Sequence, residues 1–538
     1  MRRSWRIAAI VLFALALALG GLLGDRLLAV TDETRDTLRL YTELVNVAHD
    51  HYATEVSYRD LVYSSVNGML RALDPHTAFL NPEAYEGMRE KQQTSFYGLG
   101  ILVGVRNGQL TVISPLEGTP ASRLGIQAGD IIGTIEGEAT DQMTLDEAVS
   151  KLKGPKGTQV KITIVRRGLE QPLSMSVTRA EIPQTTVRQS YMLNPTTGYV
   201  QLTEFARGSG REMADAIEKL RKAGMKQLVI DLRNNGGGLL DQAIEVADQF
   251  LPEGSAIAQT KGRTRDSFQT YNASGKYPAL DVPMVVLVNE GTASASEILS
   301  GALQDHDRAL IVGTPSWGKG LVQTVFNLSY GAGLALTTAK YYTPAGRLIQ
   351  RDYSSYYDYY THADAGSPEV TGKPVDSNET FQTDLGRKVY GGGGITPDVI
   401  VKDVELSPFE QFLLARNAFL NFAVDYGSRN KVTKDWNPDP EKVIDEFGKW
   451  LVKEKIAAPD EMQKNLAQPD VRRDSLLQIR AELMNTLAGQ EARHRVLSQG
   501  DEQLQEALKL FDRAANMYAQ RRELGPKVER GTQTKGKL

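Results

Sequence analysis

A five-residue apolar run, Met284 to Val288, constrains the fold of this chain more than any other stretch. The run is short and rich in β-branched residues, which is typical of a buried strand. It ends at a turn, Asn289-Glu290-Gly291, after which apolar residues recur at helical spacing. Similar apolar runs occupy 198–202, 228–231 and 309–312, with a helical pattern between the first two. This alternation of strands and helices predicts an α/β sheet with functional groups at the strand ends.

Ser294 lies in the turn between the 284–288 strand and the helix that follows it. Free backbone N–H groups at a helix start can receive a developing negative charge, so the position suits a nucleophile. Serine is also a preferred helix N-cap, and this stretch alone does not decide between the two interpretations. Ser296 is a competing serine two residues later.

A serine nucleophile needs a base, which is usually histidine, although a desolvated lysine can take its place. The chain has six histidines, and none lies in a turn flanked by strand-like runs. The nearest, His306, lies at a polar helix end that we expect to be solvated. Lys319 instead follows the 309–312 strand, within the glycine-flanked segment 313–320. Lys319 is therefore the candidate base.

Four segments together resemble the carboxyl-terminal processing peptidases, also called tail-specific proteases: LVIDLRNNGGGLL (228–240), NEGTASASEI (289–298), GTPSWGKGLVQ (313–323) and ALTTAKYYTPAGRLIQ (335–350). These peptidases combine a Ser-Lys dyad with a PDZ domain, and the resemblance spans residues 35 to 402. It implies Ser294 as the nucleophile, Lys319 as the general base and Gln323 as the residue that orients the lysine. It favours Ser294 over Ser296.

The implied chemistry requires a neutral Lys319 amine near pH 7. Its pKa would have to fall from roughly 10.4 towards about 7 to 8 through desolvation, and Trp317 could help to exclude water. The resemblance also implies an oxyanion hole formed by backbone N–H groups of Ala295 and of the glycine turn after residue 231. Gly236 stands where the family commonly has proline, which leaves Gly237 and Gly238 as alternatives, and we assign Gly237.

Residues 93–182 are predicted to form the PDZ domain. Tyr97-Gly98-Leu99-Gly100 resembles the PDZ loop that binds a peptide's terminal carboxylate through backbone N–H groups, while the next strand accepts the peptide as an added strand. The segment ASRLGIQAGDIIGTIEG, residues 121–137, is strongly PDZ-like. Apolar residues at helical spacing from Leu145 to Leu152 predict the other wall of the groove.

Three arginines precede an apolar run from Ile7 to Leu23, which is typical of a secretory signal or an N-terminal membrane anchor. We assign residues 1–31 to this segment. We expect an exported protein, either periplasmic or anchored in the inner membrane and facing the periplasm or cell exterior. The chain has no cysteine, which excludes disulfide bonds, and its net charge of −4 gives no indication of nucleic-acid binding.

The remaining assignments complete a multidomain α/β protein. They are an N-terminal helical segment (32–92), the α/β serine peptidase core (183–405) with a surface insertion at 351–392, a helical C-terminal domain (406–525) that packs on the core or on a second subunit, and a disordered tail (526–538). The expected partners are unfolded or tail-exposed protein substrates and a membrane contacted by the N-terminal segment. An adaptor protein and a second copy of the chain, as a homodimer, are further candidates.

Two other functions compete with the peptidase. Gly313 to Lys319 fits the first seven positions of a phosphate-binding P-loop, but the eighth is Gly320, without the hydroxyl that binds magnesium, and strand-like residues follow where a helix is required. The second alternative is a non-catalytic PDZ adaptor that binds protein tails without cutting them. We interpret His76 as a turn residue because no further ligand set accompanies it, and we expect neither a metal nor another cofactor.

Overall fold

The computed structural model describes residues 32–525, except 93–94, 107, 167–168, 184, 356–358, 360–379, 434–435 and 437–438. The predicted signal or anchor (1–31) and the predicted tail (526–538) lie outside the described residues. Within the part of the chain that the structure describes, no helix has both the length and the apolar composition needed to span a membrane. The described residues divide into two compact units, one of residues 32–81 with 325–336 and one of residues 82–324 with 337–525.

The first unit contains helices α1 (Asp32–His51) and α2 (Tyr58–Arg71) and a short strand, β1 (Ala78–Leu80). Ser57 caps α2 by accepting a hydrogen bond from Asp60 N. The Asp74 carboxylate accepts from the backbone N–H groups of His76 and Thr77, so His76 lies in a side-chain-stabilised turn. The sequence predicted only helices here. Strand β1 was missed because its antiparallel partner, residues 333–335, is remote in the chain.

The second unit begins with α3 (Pro82–Lys91) and the region predicted to be a PDZ domain. Its strands are β2 (Ser95–Gly98), β3 (Ile101–Arg106), β4 (Gln109–Pro115), β5 (Ile131–Ile135), β6 (Glu138–Ala139), β7 (Gln159–Val165), β8 (Leu173–Thr178) and β9 (Ala180–Pro183). The order β3-β4-β5-β7-β8 forms an antiparallel sheet, and β2 pairs with β9. Helices α4 (Pro120–Arg123) and α5 (Leu145–Leu152) complete it, and α5 starts with a capping box of Thr144 and Glu147.

A six-stranded sheet forms the centre of the second unit. It includes β10 (Val187–Met192), β11 (Thr197–Leu202) and β12 (Gln227–Asp231), with helices α6 (Ser209–Lys222) and α7 (Leu240–Ala247) around the last of these. Strands β13 (Ala256–Gly262) and β14 (Gln269–Asn272) belong to a second sheet. The central sheet continues with β15 (Met284–Val288), then α8 (Ala295–Asp305) and β16 (Leu310–Gly313). All neighbours in it are parallel except β10 and β11.

The rest of the core returns to the second sheet with β17 (Leu321–Asn327) and β18 (Gly333–Tyr342), which pair with each other. A short hairpin follows, β19 (Thr380–Gln382) with β20 (Lys388–Tyr390), and β21 (Val399–Ile400) then joins the central sheet beside β16. The sequence predicted a surface insertion at 351–392. This was wrong for part of the segment, because Tyr359 is 1% and Val389 3% exposed. Residues 360–379 lie outside the described residues.

The C-terminal domain consists of α9 (Pro408–Ala415), α10 (Ala418–Arg429), α11 (Pro440–Lys453), α12 (Pro459–Leu466), α13 (Pro469–Leu497), α14 (Glu502–Lys509) and α15 (Phe511–Glu523). Helices α9 to α13 share an apolar core of their own. Helices α14 and α15 instead bury Leu504, Phe511 and Met517 against one face of the central sheet. Of the two alternatives for this domain, packing on the core is therefore observed.

Both faces of the central sheet are covered, which is why its strands read as continuous apolar runs. In β15, Met284, Val286 and Val288 face the core formed with helices α6, α7 and α8. The alternate residues, Val285 and Leu287, face α14 and α15. Because the strands are parallel, their carboxyl ends meet at one edge, and this edge carries the turns that hold the candidate site.

Candidate active site

Ser294 lies between the end of β15 and the start of α8, in a backbone conformation that few residues adopt. Its φ of 56° and ψ of −114° fall outside the regions favoured by residues with a side chain. Such strain persists only where the surroundings enforce it, and it is concentrated at functional sites. Here the Asn289 side chain fixes the turn by accepting hydrogen bonds from Asn234 N and Gly291 N.

Two hydrogen bonds at the start of the helix do not involve the Ser294 hydroxyl. The N–H of Glu297 donates to the carbonyl oxygen of Ser294 at 2.9 Å, and the Ser294 N–H donates to the Glu297 carboxylate at 2.7 Å. The competing Ser296 is fully buried, and its hydroxyl donates to the carbonyl oxygen of Asn235 at 2.9 Å. Ser294, in contrast, is only half-buried. Of the two serines, Ser294 is the one that a substrate can reach.

Lys319 lies at the carboxyl end of the neighbouring strand, β16, and is half-buried. Its Nζ donates a hydrogen bond to Gln323 Oε1 at 3.0 Å, as the resemblance implies. Gln323 belongs to β17, which starts two residues after the lysine. The loop before Lys319 is linked to the turn that contains Ser294, since Trp317 N donates to the carbonyl oxygen of Thr292 at 2.9 Å.

The Glu297 carboxylate joins the start of α8 to the loop that contains Lys319. One oxygen accepts from Ser294 N at 2.7 Å and from Lys319 N at 2.9 Å. The other accepts from Gly318 N at 2.7 Å and from the Ser316 hydroxyl at 2.5 Å. Burial raises the pKa of Glu297, and these donors hold part of that rise back. Three of the four contacts are backbone N–H groups, which can only donate, so they favour an ionised carboxylate.

Sequence reasoning missed Glu297, although a signal was present. Ser294-Ala-Ser-Glu297 has the spacing of a capping box, in which the glutamate receives the N–H of the cap residue. The contacts that this glutamate makes with residues 316–319 have no comparable local signature. Tyr341 is a second residue that was missed: its buried hydroxyl donates to the Ser294 carbonyl oxygen at 3.1 Å, and burial raises its pKa, which keeps it protonated.

The turn after β12 brings Gly237 against Ser294. A Cβ at Gly237 would lie 2.8 Å from Ser294 Cβ and 2.9 Å from Ala295 N, so only glycine fits there. Gly237 N–H itself donates to Asn235 Oδ1 at 2.9 Å. A Cβ at Gly238 would instead meet the Phe205 carbonyl oxygen at 2.1 Å. The structure thus brings Gly237 and Ala295 together beside Ser294, with the Gly237 N–H held by a neighbouring side chain.

Asn235 connects this turn to the start of α8. Its side-chain amide is fully buried and donates to the Leu202 carbonyl oxygen at 2.8 Å. Its own carbonyl oxygen accepts from Ala293 N at 3.0 Å and from the Ser296 hydroxyl. The position of the Gly237 turn and the position of Ser294 are therefore set by the same residue.

The structure also forms a groove at the predicted carboxylate-binding loop. Gly98, Leu99 and Gly100 line a cavity of about 80 Å³ between β3 and α5. Phe96 and Lys153 also line this cavity, but Tyr97 does not. The side chain of Tyr97 is 45% exposed. Successive residues of a strand point to opposite sides, which explains the exchange of Tyr97 for Phe96.

Two further expectations can be compared with the structure. His306 was expected to be solvated, which was wrong: Nδ1 lies 2.9 Å from Asp384 Oδ2, and Nε2 lies 2.7 Å from the Ala256 carbonyl oxygen. The P-loop alternative fails as expected, because the strand β17, and not a helix, follows Lys319. Among the described residues, no group of three or more metal-ligating side chains is positioned to hold an ion.

Comparison with known proteins identifies the family. The model described as Peptidase family S41 matches residues 196–354, and a PDZ domain model matches residues 111–166. A carboxy-terminal-processing protease of Bartonella bacilliformis is 40% identical over 321 residues, which cover 59% of this chain and 73% of that protein. A carboxyl-terminal-processing protease of Synechocystis sp. is 36% identical over 364 residues, which cover 64% of this chain and 84% of that protein.

Among solved structures, a photosystem II D1 C-terminal processing protease is 28% identical and covers 68% of this chain and 92% of that chain, with a TM-score of 0.35. The sequence relatives and the two family models confirm the resemblance and the predicted combination of an α/β peptidase core with a PDZ domain. The chain belongs to the carboxy-terminal processing serine proteases of peptidase family S41.

Proposed function

We propose that the protein is a serine endopeptidase that binds the C-terminal tails of protein substrates through its PDZ domain and cleaves them with a Ser294-Lys319 dyad. In the first step, the Lys319 amine takes the hydroxyl proton of Ser294, and Oγ attacks the carbonyl carbon of the scissile peptide bond. The tetrahedral intermediate then expels the amine of the leaving peptide, which receives the proton from the Lys319 ammonium. Water hydrolyses the resulting acyl-enzyme, with Lys319 again accepting a proton.

The observation that carries this proposal is the shared oxygen of Glu297. It accepts hydrogen bonds from the backbone N–H groups of both Ser294 and Lys319, at 2.7 and 2.9 Å. The backbones of the two residues are therefore held next to each other by one oxygen atom. The hydrogen bond from Lys319 Nζ to Gln323 Oε1 gives the amine a fixed direction. A neutral lysine amine keeps two N–H donors and one lone pair. Gln323 Oε1 can therefore accept a hydrogen bond from one N–H while the lone pair faces the Ser294 hydroxyl.

The oxyanion hole that we propose uses Ala295 N–H and Gly237 N–H. Ala295 is the first residue of α8, and the first N–H groups of a helix have no partner within the helix. Gly237 N–H already donates to Asn235 Oδ1. When the oxyanion forms, this N–H must either donate to both oxygens or turn from Asn235 to the oxyanion. The negative charge of the intermediate is a stronger acceptor than a neutral amide oxygen, which favours this exchange.

Tail recognition is proposed from the groove lined by Gly98, Leu99 and Gly100. Backbone N–H groups of such a loop bind a terminal carboxylate, and a substrate tail would add a strand beside β3. The small size of the groove suits one apolar side chain at the end of the tail. Unfolded or tail-exposed proteins are therefore the proposed substrates, with no cofactor required.

We also propose that the protein is exported and acts in the periplasm, either free or anchored in the inner membrane through residues 1–31. The arginine-flanked apolar run in that segment supports this location. A homodimer and an adaptor protein remain proposed partners. Light scattering of the chain without residues 1–31, over a range of concentrations, tests the dimer, and a constant mass equal to one chain would exclude it.

The main experiment compares the protein with its Ser294→Ala variant on one peptide sequence, prepared with a free and with an amidated C-terminus. We expect cleavage of the free peptide, slower cleavage of the amidated peptide and none by the variant. An active-site serine probe should label Ser294. A protein that binds the free peptide but neither cleaves it nor reacts with the probe would be the non-catalytic adaptor.

A further inference from the structure

Arg233 connects the end of β12 to the C-terminal domain. It is the second residue after the strand, immediately before the turn that contains Asn235 and Gly237. Its guanidinium donates to both oxygens of Asp231, which is 1% exposed, at 2.6 to 3.2 Å. Tyr199 adds a hydroxyl donor to the same carboxylate at 2.7 Å. This half of the contact fixes Arg233 to the peptidase core.

The other half of the contact comes from the start of α14. Arg233 Nη1 donates to Asp501 Oδ1 at 3.0 Å and to Gln503 Oε1 at 2.9 Å, and Nη2 donates to Asp501 Oδ2 at 2.6 Å. The guanidinium is thus held between two carboxylates, one from the core and one from the C-terminal domain. Such bidentate pairs are the strongest and most directional hydrogen bonds that side chains form.

The position of Arg233 is transmitted to the oxyanion turn by the backbone. Its own N–H donates to Asp231 Oδ1 at 3.0 Å, and the next residue, Asn234, has a positive φ of 57°. Asn235 then supplies the acceptors for Gly237 N and Ala293 N. A change in the position of the Arg233 side chain therefore acts on the strained backbone segment 234–237, which ends beside Ser294.

We propose that Asp501, on the C-terminal domain, is a positioning residue for the oxyanion turn of the peptidase. It acts through Arg233, which it holds against Asp231, and it does not touch the substrate. This inference deepens the proposed function and rests on it. It gives the C-terminal domain a role in catalysis beyond covering the central sheet.

The physical basis is the cost of a half-paired buried charge. Burial acts to raise the pKa of Asp231, but Arg233 and Tyr199 overcome this and lower it, so Asp231 is ionised at neutral pH. Without Asp501, the exposed side of the Arg233 guanidinium would lose its carboxylate. Removing one partner of such a network leaves the other charge incompletely compensated, and the side chain relaxes towards water.

The test uses two Asp→Asn variants at helix starts in the same domain. Asp501 caps α14 by accepting from Leu504 N at 2.9 Å, and Asp439 caps α11 by accepting from Glu441 N at 3.1 Å. Asparagine caps a helix as well as aspartate does, so both variants keep their helix. Only Asp501→Asn removes a charge from Arg233.

We expect Asp501→Asn to lower kcat by about tenfold with KM within twofold of the unchanged protein, because a displaced oxyanion donor costs less than the roughly 10² to 10³ of a deleted one. Asp439→Asn should leave both constants unchanged. Gln503→Glu, added to Asp501→Asn, returns a carboxylate to Arg233 Nη1 and should restore part of the lost kcat, because it also loses the hydrogen bond that the Gln503 amide donates to the Val401 carbonyl oxygen at 2.9 Å. The melting temperature of each variant is measured alongside.

Equal kcat values for Asp501→Asn and Asp439→Asn would overturn the inference. A lowered kcat that the Gln503→Glu change does not restore, together with a lowered melting temperature, would also overturn it by assigning the loss to general destabilisation. Failure of the proposed function gives a different result, since the unchanged protein would then cleave no peptide and Ser294 would not react with a serine probe.

Discussion

Replacing Glu297 with glutamine tests the central feature of the site, because the change keeps the shape and removes one acceptor oxygen. In the carboxylate, each oxygen accepts two hydrogen bonds. The amide NH₂ must face one of these two pairs of donors. It is best placed towards Ser316 and Gly318, because the Ser316 hydroxyl can turn and accept. Gly318 N–H then loses its acceptor.

The cost follows from these contacts. A buried N–H without an acceptor costs about 1 to 3 kcal/mol, and two bonds that change from charged to neutral acceptors each lose about 1 kcal/mol. The tether between Ser294 and Lys319 is thus weakened by about 3 to 5 kcal/mol by the same estimates. Overall stability changes less, because the neutral amide also avoids the cost of burying a charge. A misplacement of about 1 Å can lower a rate roughly 10²-fold, and we expect a fall in kcat of that order.

The assay measures kcat, KM and melting temperature for Glu297→Gln and for a matched control, Glu410→Gln. Glu410 is also a buried glutamate in the first turn of a helix, and it accepts from Ser407 N at 2.9 Å and from the Ser407 hydroxyl at 2.6 Å. It lies in α9, in the C-terminal domain. The control should keep its kcat and most of its stability, because one oxygen of Glu410 accepts both of these hydrogen bonds and a glutamine oxygen can do the same. A Glu297→Gln enzyme with kcat within twofold of the unchanged protein would refute the reasoning.

Four further predictions address the dyad, cofactors, pH dependence and domain coverage. Ser294→Ala and Lys319→Ala should each abolish peptide cleavage while the melting temperature stays within a few degrees, and a comparable loss of folding would contradict a catalytic role. Activity should be unchanged in EDTA, and restoration of a lost activity by added metal would be contrary evidence. Burial alone would lower the pKa of His306, but Asp384 raises it; stability from this pair is therefore complete below the unfolded pKa of about 6.5 and is lost as pH rises through the higher folded value. Urea unfolding across this range should show a fall that His306→Gln lacks. A chain ending at residue 405 exposes the sheet face covered by three large side chains worth about 1.5 to 3 kcal/mol each, so it should not fold cooperatively, as circular dichroism during heating would show.

The strands and the candidate residues of the core could be predicted from sequence because their signals are local. Apolar runs gave β11, β12, β15 and β16 nearly to the residue, and the turns after them contain Ser294 and Lys319. Contacts between segments far apart in the chain could not be predicted in this way. The bonds from Glu297 to residues 316–319, and the burial of His306 by Asp384, depend on tertiary packing that leaves no periodic pattern in either segment.

The insertion illustrates the same limit. Tyrosines and charged residues from 352 onward gave a polar composition, which favours a surface position. In the structure, Tyr359 packs edge-on against Trp317, with ring centroids 6.0 Å apart, and its hydroxyl accepts from the indole N–H at 3.3 Å. Aromatic residues with one polar atom can be buried when that atom has a partner. Composition alone does not reveal the partner.

The position of α14 and α15 in the chain determines when the peptidase can first become complete. Polypeptides emerge from the ribosome with the N-terminus first, and domains tend to fold in that order. The strands of the central sheet, up to Ile400, are therefore made well before the residues from 502 onward that shield Val285, Leu287 and Leu310 from water. A chain that ends before these residues retains an open apolar sheet face. The central sheet is in this way completed only when the residues from 502 onward have packed against it.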